Sequence, residues 1–187
     1  MKIVGFYTTN TPYEQEYLQL KETMDHYGLS YHFYPIDNTG KWESNCAMKS
    51  KVLLQALDDF NDNILYLDSD ARILQQPPFE QIEKDVPGIC VWHPKYRRNG
   101  ETLSGTIYFP NNDVSRALIK EWIAEQQKNT NEWDQRVLER IYKKHPHYLM
   151  SHDWINIVGL ADGTYLLKTD NPIILHTQAS RKNKDKV

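Results

Sequence analysis

Cysteine is nearly absent from this chain of 187 residues: Cys46 and Cys90 are the only two, with neither a CxxC nor a zinc-ligand spacing. That argues against a disulfide framework, leaves two buried free thiols as the expectation, and fits a reducing, cytoplasmic setting. No window approaches the roughly 18 apolar residues that a membrane span needs. The apolar run in MKIVGFYTTN at the amino terminus is too short for the core of a signal peptide and reads as a first strand. Excess charge is missing as well, since 22 Lys and Arg against 25 Asp and Glu give a net charge of −3. Such a balance argues against a protein that holds nucleic acid by bulk positive charge. Internal repeats, low-complexity tracts and linkers are also absent. One domain over residues 1–187 is therefore expected, with a core of its own and a charged tail from about residue 180 that is mobile at its end.

What the chain does have is aromatic residues, 12 Tyr and 5 Trp, which read first as core. KIVGFYT (2–8) is a strand ending in a Thr-rich loop, and a helix over about 13–27 stops at Gly28. YHFYPID (31–37) is a second strand. Apolar residues at 53, 57 and 60 predict a helix, with Asn45 as its cap, before the third strand NILYLDSD. This alternation predicts an α/β fold with a helix-flanked parallel sheet. Ligands in such sheets lie at the carboxyl ends of the strands, where Thr8, Asp37 and Asp68 would gather. Farther on, strands over 88–94 and 104–110 flank the basic loop KYRRNGE (95–101). Two helices follow, capped by Asp113 and Asn131, and a last strand covers 171–178.

ILYLDSDARI (64–73) carries the chemistry. On a continuing strand Asp68 and Asp70 point to one face and Ser69 to the other. Two carboxylates can then converge on one divalent ion, with diphosphate oxygens and water completing its shell. Aspartates capping a turn are the plain alternative. A phosphatase of haloacid dehalogenase type also delivers DxD from a strand, but on its first strand and with Thr or Val where this chain has Arg72.

Several segments together resemble the nucleotide-sugar transferases of the GT-A fold, most closely the glycosyltransferase family 8-like group. They are the Thr-rich first loop, the helix with Lys49 and Lys51, YLDSDA, SGTIYF, WDQRVL, WIN and ILHTQASRK, in that order over about residues 2–182. The resemblance implies a central mixed sheet flanked by helices and a metal-dependent hexosyltransferase that uses a nucleotide-diphosphate donor, UDP-sugar above all. It implies manganese or magnesium on Asp68, Asp70 and His176, with Asp68 also near the ribose and Ser69 beside it. Ser104 and Gly105 fall in the segment beside the donor sugar, where Leu103 replaces a common asparagine. Asp134 and Gln135 take the sugar and acceptor side, and Arg181 or Lys182 the phosphates.

The residues themselves add reasons. Lys49 and Lys51 sit in the first turns of a helix, where positive charge opposes the helix dipole and an anionic ligand would offset it. Thr8 and Thr9 can hold a nucleobase, and Asp37 a base or ribose. Asp134 is the acceptor base if the anomeric centre inverts; with retention, which the family implies, it orients the substrate. Lys95, Arg97 and Arg98 around Tyr96 form a cationic, aromatic tip suited to an acidic acceptor. The acceptor is open between a glycan, a protein and a nucleic acid. A binding module without turnover stays open beside the enzyme.

Overall fold

The computed structural model describes residues 1–93, 100–158 and 165–186. Its first half follows the predicted alternation: β1 (Lys2–Thr8), α1 (Pro12–His26), β2 (Tyr31–Ile36), α2 (Trp42–Cys46), α3 (Lys49–Phe60) and β3 (Ile64–Leu67). Thr11 caps α1, its hydroxyl accepting from the Tyr13 amide, and Pro12 fills the first turn, where its missing N–H is no loss. Then come β4 (Ala71–Ile73), β5 (Gly88–Trp92), β6 (Glu101–Phe109), α4 (Asp113–Lys128), α5 (Asp134–Ile141), β7 (Tyr148–Leu149), β8 (Asn156–Val158), β9 (Tyr165–Leu167), β10 (Ile174–His176) and α6 (Ser180–Asn183).

The strands form two sheets. The larger has the order β2-β1-β3-β6-β5-β7, parallel where β1 meets β2 and β3 and antiparallel where β6 meets β3 and β5. It is therefore mixed rather than all-parallel. The smaller sheet runs β4-β10-β8-β9. All four residues of β3 are buried because each face of the larger sheet is covered. Leu65 and Leu67 pack with Leu20 and Met24 of α1 and with the smaller sheet, whereas Ile64 and Tyr66 pack with α3, α4 and α5 through Leu53, Trp122 and Val137. Each such aliphatic side chain contributes about 1.5–3 kcal/mol on burial.

Several expected boundaries shift. Asn45 lies inside α2, and its side chain binds Thr39 and Asn38 instead of capping α3, which starts at Lys49 without a side-chain cap. Asn112 rather than Asp113 caps α4, and α5 begins at Asp134, after Trp133, with no side-chain cap from Asn131. The carboxyl-terminal segment expected to be mobile is helical from Ser180. Asn183 is buried there, and Lys184 bonds Glu43 of α2 at 2.7 Å. Lys95, Tyr96, Arg97 and Arg98 of the basic loop lie outside the described residues. Among the described residues no helix is long and apolar enough to cross a membrane.

Candidate active site

The strand does not continue through the aspartates. After Leu67 the chain turns, the Ala71 amide bonding the Asp68 carbonyl at 3.0 Å, and re-emerges as β4 in the other sheet. The turn overrides strand alternation, so Asp68, Ser69 and Asp70 all line one pocket instead of Ser69 pointing away. Across it, β10 pairs antiparallel with β4, setting His176 opposite Ala71 and therefore next to Asp70. The pocket encloses about 140 Å³.

One wall is a buried charge cluster. Lys49 Nζ lies 3.0 Å from Asp68 Oδ1 and 2.9 Å from Asp134 Oδ2, and it donates to the Ser104 carbonyl at 3.0 Å. Ser104 Oγ donates to Asp134 Oδ2 at 3.1 Å, and the Tyr66 hydroxyl to Asp68 Oδ1 at 2.8 Å. Burial pulls the Lys49 ammonium down, but Asp134 and Asp68 together outweigh it and hold it above the ordinary lysine range. Burial likewise pushes the Asp134 carboxyl up, with Lys49 opposing. The anions that offset Lys49 at the start of α3 are thus the protein's own carboxylates.

The opposite wall is Asp70 with His176. His176 Nδ1 is 3.2 Å from Asp70 Oδ1, and the Ala179 amide donates to Asp70 Oδ2 at 2.9 Å. A carboxylate only accepts, so Nδ1 carries the proton toward Asp70, and Nε2 is hydrogen-bonded to the Thr106 hydroxyl at 2.9 Å. Burial alone would raise the Asp70 pKa; the hydrogen bond and charge of His176, the Ala179 amide and Arg72 reverse this and hold it low.

Between the walls lies Gly105. A Cβ built there would stand 2.9 Å from His176 Cε1 and 3.3 Å from Asp68 Oδ2, so only glycine leaves that gap open. Asp68 and His176 flank this gap and Asp70 lies beside His176; two carboxylates and an imidazole suit a manganese- or magnesium-type ion by their donor chemistry. Among the described residues, however, no three His, Cys, Asp or Glu side chains are gathered closely enough to enclose an ion. Asp68 Oδ1 is engaged by Lys49 and Tyr66, Asp70 by His176 and Ala179, and the two ring nitrogens of His176 by Asp70 and Thr106.

Of the residues singled out from sequence, Thr8, Lys49, Asp68, Ser69, Asp70, Ser104, Gly105, Asp134, Gln135 and His176 line this pocket. Thr9, Asp37, Lys51, Arg181 and Lys182 do not. Residues two apart on a helix point to nearly opposite sides, so Lys51 is exposed where Lys49 is buried. The Thr9 amide bonds the Ile36 carbonyl, Asp37 is exposed, and Arg181 Nε donates to Gln178, which does reach the pocket. Sequence reasoning missed Tyr13, Trp42, Asn45, Cys46 and Trp133, all on the pocket wall. The Tyr13 hydroxyl is buried near the Trp42 indole and makes no well-formed hydrogen bond among the described residues, and burial raises its pKa against the lowering effect of Trp42. Only its place after the Thr-rich loop could have flagged it. In WIN, Asn156 is structural, its side chain tying the His152 carbonyl to the Thr169 amide.

A family model described as nucleotide-diphospho-sugar transferase matches residues 37–187. No curated protein sequence matches the chain. Among solved structures the chain is similar to a glycosyltransferase involved in glycosylation of the major capsid of PBCV-1, with a TM-score of 0.71 at 14% identity over 100% of this chain and 98% of that one. It is similar to the glycosyltransferase GlyE of Streptococcus pneumoniae TIGR4, with a TM-score of 0.63 at 16% identity over 95% of this chain and 54% of that one. The galactosyltransferase LgtC, solved with donor and acceptor sugar analogs, gives 0.57 at 13% identity over 95% and 87%. At these identities the likeness is one of fold, and the fold is GT-A.

Proposed function

The chain belongs to the nucleotide-diphospho-sugar transferase family, and from that premise we propose that it moves a hexose from a UDP-sugar to an acceptor hydroxyl, with a divalent cation and with retention, in one catalytic domain. Enzymes of this family are nucleotide-sugar glycosyltransferases, so the phosphatase and binding-module readings fall away. The observation that supports the site assignment is the pocket that gathers Asp68, Asp70 and His176 on either side of Gly105, with Lys49 and Asp134 behind them.

Asp68, Asp70 and His176 would hold manganese or magnesium, which when bound neutralises charge on a departing diphosphate. Lys49 presents a buried positive charge beside Asp68. In a retaining transfer the bond from the anomeric carbon to the diphosphate oxygen breaks with its electron pair leaving on the diphosphate. The acceptor oxygen bonds the same face of that carbon, and its proton passes to a diphosphate oxygen. Asp134, paired with Lys49 and Ser104, then orients the sugar beside Gln135 instead of taking the proton. Thr8 and the buried Tyr13 hydroxyl serve the nucleotide. Ser69 serves the donor from the pocket wall; a UDP-sugar extends beyond a pocket of about 140 Å³, and Thr9, Asp37, Arg181 and Lys182 are assigned to its outer part, whereas solvent-facing Lys51 is not. Two free thiols fit the cytoplasm.

The test is a melting-temperature series with UDP and UDP-sugars, each with manganese, magnesium or EDTA. A ligand that binds only the folded state must raise the melting temperature. A UDP shift that disappears in EDTA, and in Asp70→Ala and His176→Ala, is expected. Equal shifts in EDTA would remove the metal from the reading, and no shift with any uridine nucleotide would remove the donor.

A further inference from the structure

Tyr66 is the third residue of β3, wholly buried, and flanked in the sheet by Val4 of β1 and Ile107 of β6. Its ring belongs to the apolar cluster that also holds Leu53, Leu57 and Trp122, a place that phenylalanine would fill as well. The hydroxyl is what needs a reason, because a buried O–H is costly unless it finds an acceptor. It finds Asp68, donating to Oδ1 at 2.8 Å.

That bond falls on one oxygen of the carboxylate. Lys49 Nζ reaches the same Oδ1 at 3.0 Å, and the Asp68 amide ties the backbone to the Gly105 carbonyl at 2.9 Å. Oδ2 is the oxygen turned to the gap at Gly105, 3.3 Å from where a Cβ would stand. No hydrogen bond or ion pair to Oδ2 is found among the described residues. The two donors on Oδ1 differ in kind. Lys49 is shared with Asp134 and Ser104 at the end of a flexible stem, whereas the phenol sits on a rigid ring packed in the core. The terminal torsion of an aspartate is broad and roughly two-fold, so a carboxylate without such a fixed donor turns readily.

We propose that Tyr66 is a positioning residue for the metal centre: its hydroxyl pins Oδ1 inward and keeps Oδ2 free, facing the gap, for a divalent ion. The inference rests on the assignment of that ion to Asp68, Asp70 and His176. Hydrogen-bond partners that orient a ligating carboxylate act on the metal through it, and losing one costs about 10–100-fold in metal affinity.

The experiment titrates manganese by calorimetry into the parent, Tyr66→Phe, Asp70→Ala and His176→Ala, with UDP present and absent, and measures UDP binding in EDTA. Tyr108→Phe is the control, since it removes the hydroxyl of another wholly buried tyrosine, one that bonds the Lys84 carbonyl away from the pocket. Tyr66→Phe keeps the ring and leaves Lys49 on Asp68, and circular dichroism checks that it folds. Manganese affinity is expected to fall at least about tenfold in Tyr66→Phe and to stay at the parent's value in Tyr108→Phe, with UDP binding in EDTA unchanged in both. An unaltered manganese affinity in Tyr66→Phe overturns the inference, as does an equal loss in Tyr108→Phe, which would make the effect one of general stability. A parent that binds no manganese, or binds it equally well in Asp70→Ala and His176→Ala, would overturn the metal assignment itself and this inference with it.

Discussion

Lys49→Met removes the ammonium from the charge cluster while nearly preserving side-chain length. The carboxylate that suffers is Asp134, only 1% exposed, which keeps the Ser104 hydroxyl at 3.1 Å but loses its cation at 2.9 Å. The Asp68 side chain is 37% exposed and keeps Tyr66, so solvent screens its share. Stranding one buried carboxylate costs about 3–5 kcal/mol. Protonation caps that loss: at about pH 7.5, neutralising a carboxyl whose ordinary pKa is 3.8 costs roughly 5 kcal/mol, at about 1.36 kcal/mol per unit. For a chain of this size the fall in melting temperature is about 6–20 °C. Urea denaturation in EDTA, followed by circular dichroism, measures the loss without any ligand contribution. Because an acid whose folded pKa is raised is penalised above its ordinary pKa, the deficit should shrink as the pH falls toward about 5. The double variant Lys49→Met/Asp134→Asn, which removes the stranded charge, should recover at least half the loss. A single-variant loss below about 1 kcal/mol, or a double variant no better than the single, would refute a buried, paired Asp134.

Gly105→Ala should weaken UDP binding in manganese at least tenfold and cost about 1–3 kcal/mol of stability, because the new methyl meets His176 and Asp68; calorimetry with an unchanged affinity would show that the gap is not used. Tyr13→Phe deletes a buried hydroxyl that makes no well-formed hydrogen bond among the described residues. It should hold or raise apo stability by up to about 1 kcal/mol while weakening UDP binding, and a marked loss of apo stability would mean the hydroxyl is bonded. Glu121 is held low by hydrogen bonds from Lys144 and His145. A depressed carboxyl stabilises fully above its ordinary pKa and loses that contribution as the pH falls from there through its lower folded pKa, so Glu121→Gln should cost less than about 1 kcal/mol near neutrality and progressively less below about pH 4.5 in parallel urea titrations.

Period and order made much of this protein legible in its sequence. The apolar run of β3 and the alternation of strands and helices announced a covered sheet, and the DSD at its end located the pocket. Antiparallel β6 was not legible, since pairing direction depends on tertiary context that apolar period does not encode. Helix starts were misread where two short helices adjoin, because Asn45 found loop partners that outcompeted a capping role. Lys49 and Lys51 looked equivalent until helix phase separated them. The indoles were hidden differently: Trp42 and Trp133 lie 91 positions apart, and an aromatic residue on a cavity wall has the same sequence signature as one in a core.

The passage of the chain from the larger sheet to the smaller one at Asp68–Asp70 has a mechanical consequence. Asp68 belongs to the end of a strand in one sheet, whereas His176 belongs to the other, and the two face each other across Gly105. A ligand gripping both is a rivet between two plates that are otherwise joined there by a short turn. Its binding should therefore be felt in the seams of the smaller sheet. Amide protons of β4 and β10 should exchange more slowly when the rivet is in place, and the hydrogen-exchange map would then trace the load path from ligand to fold.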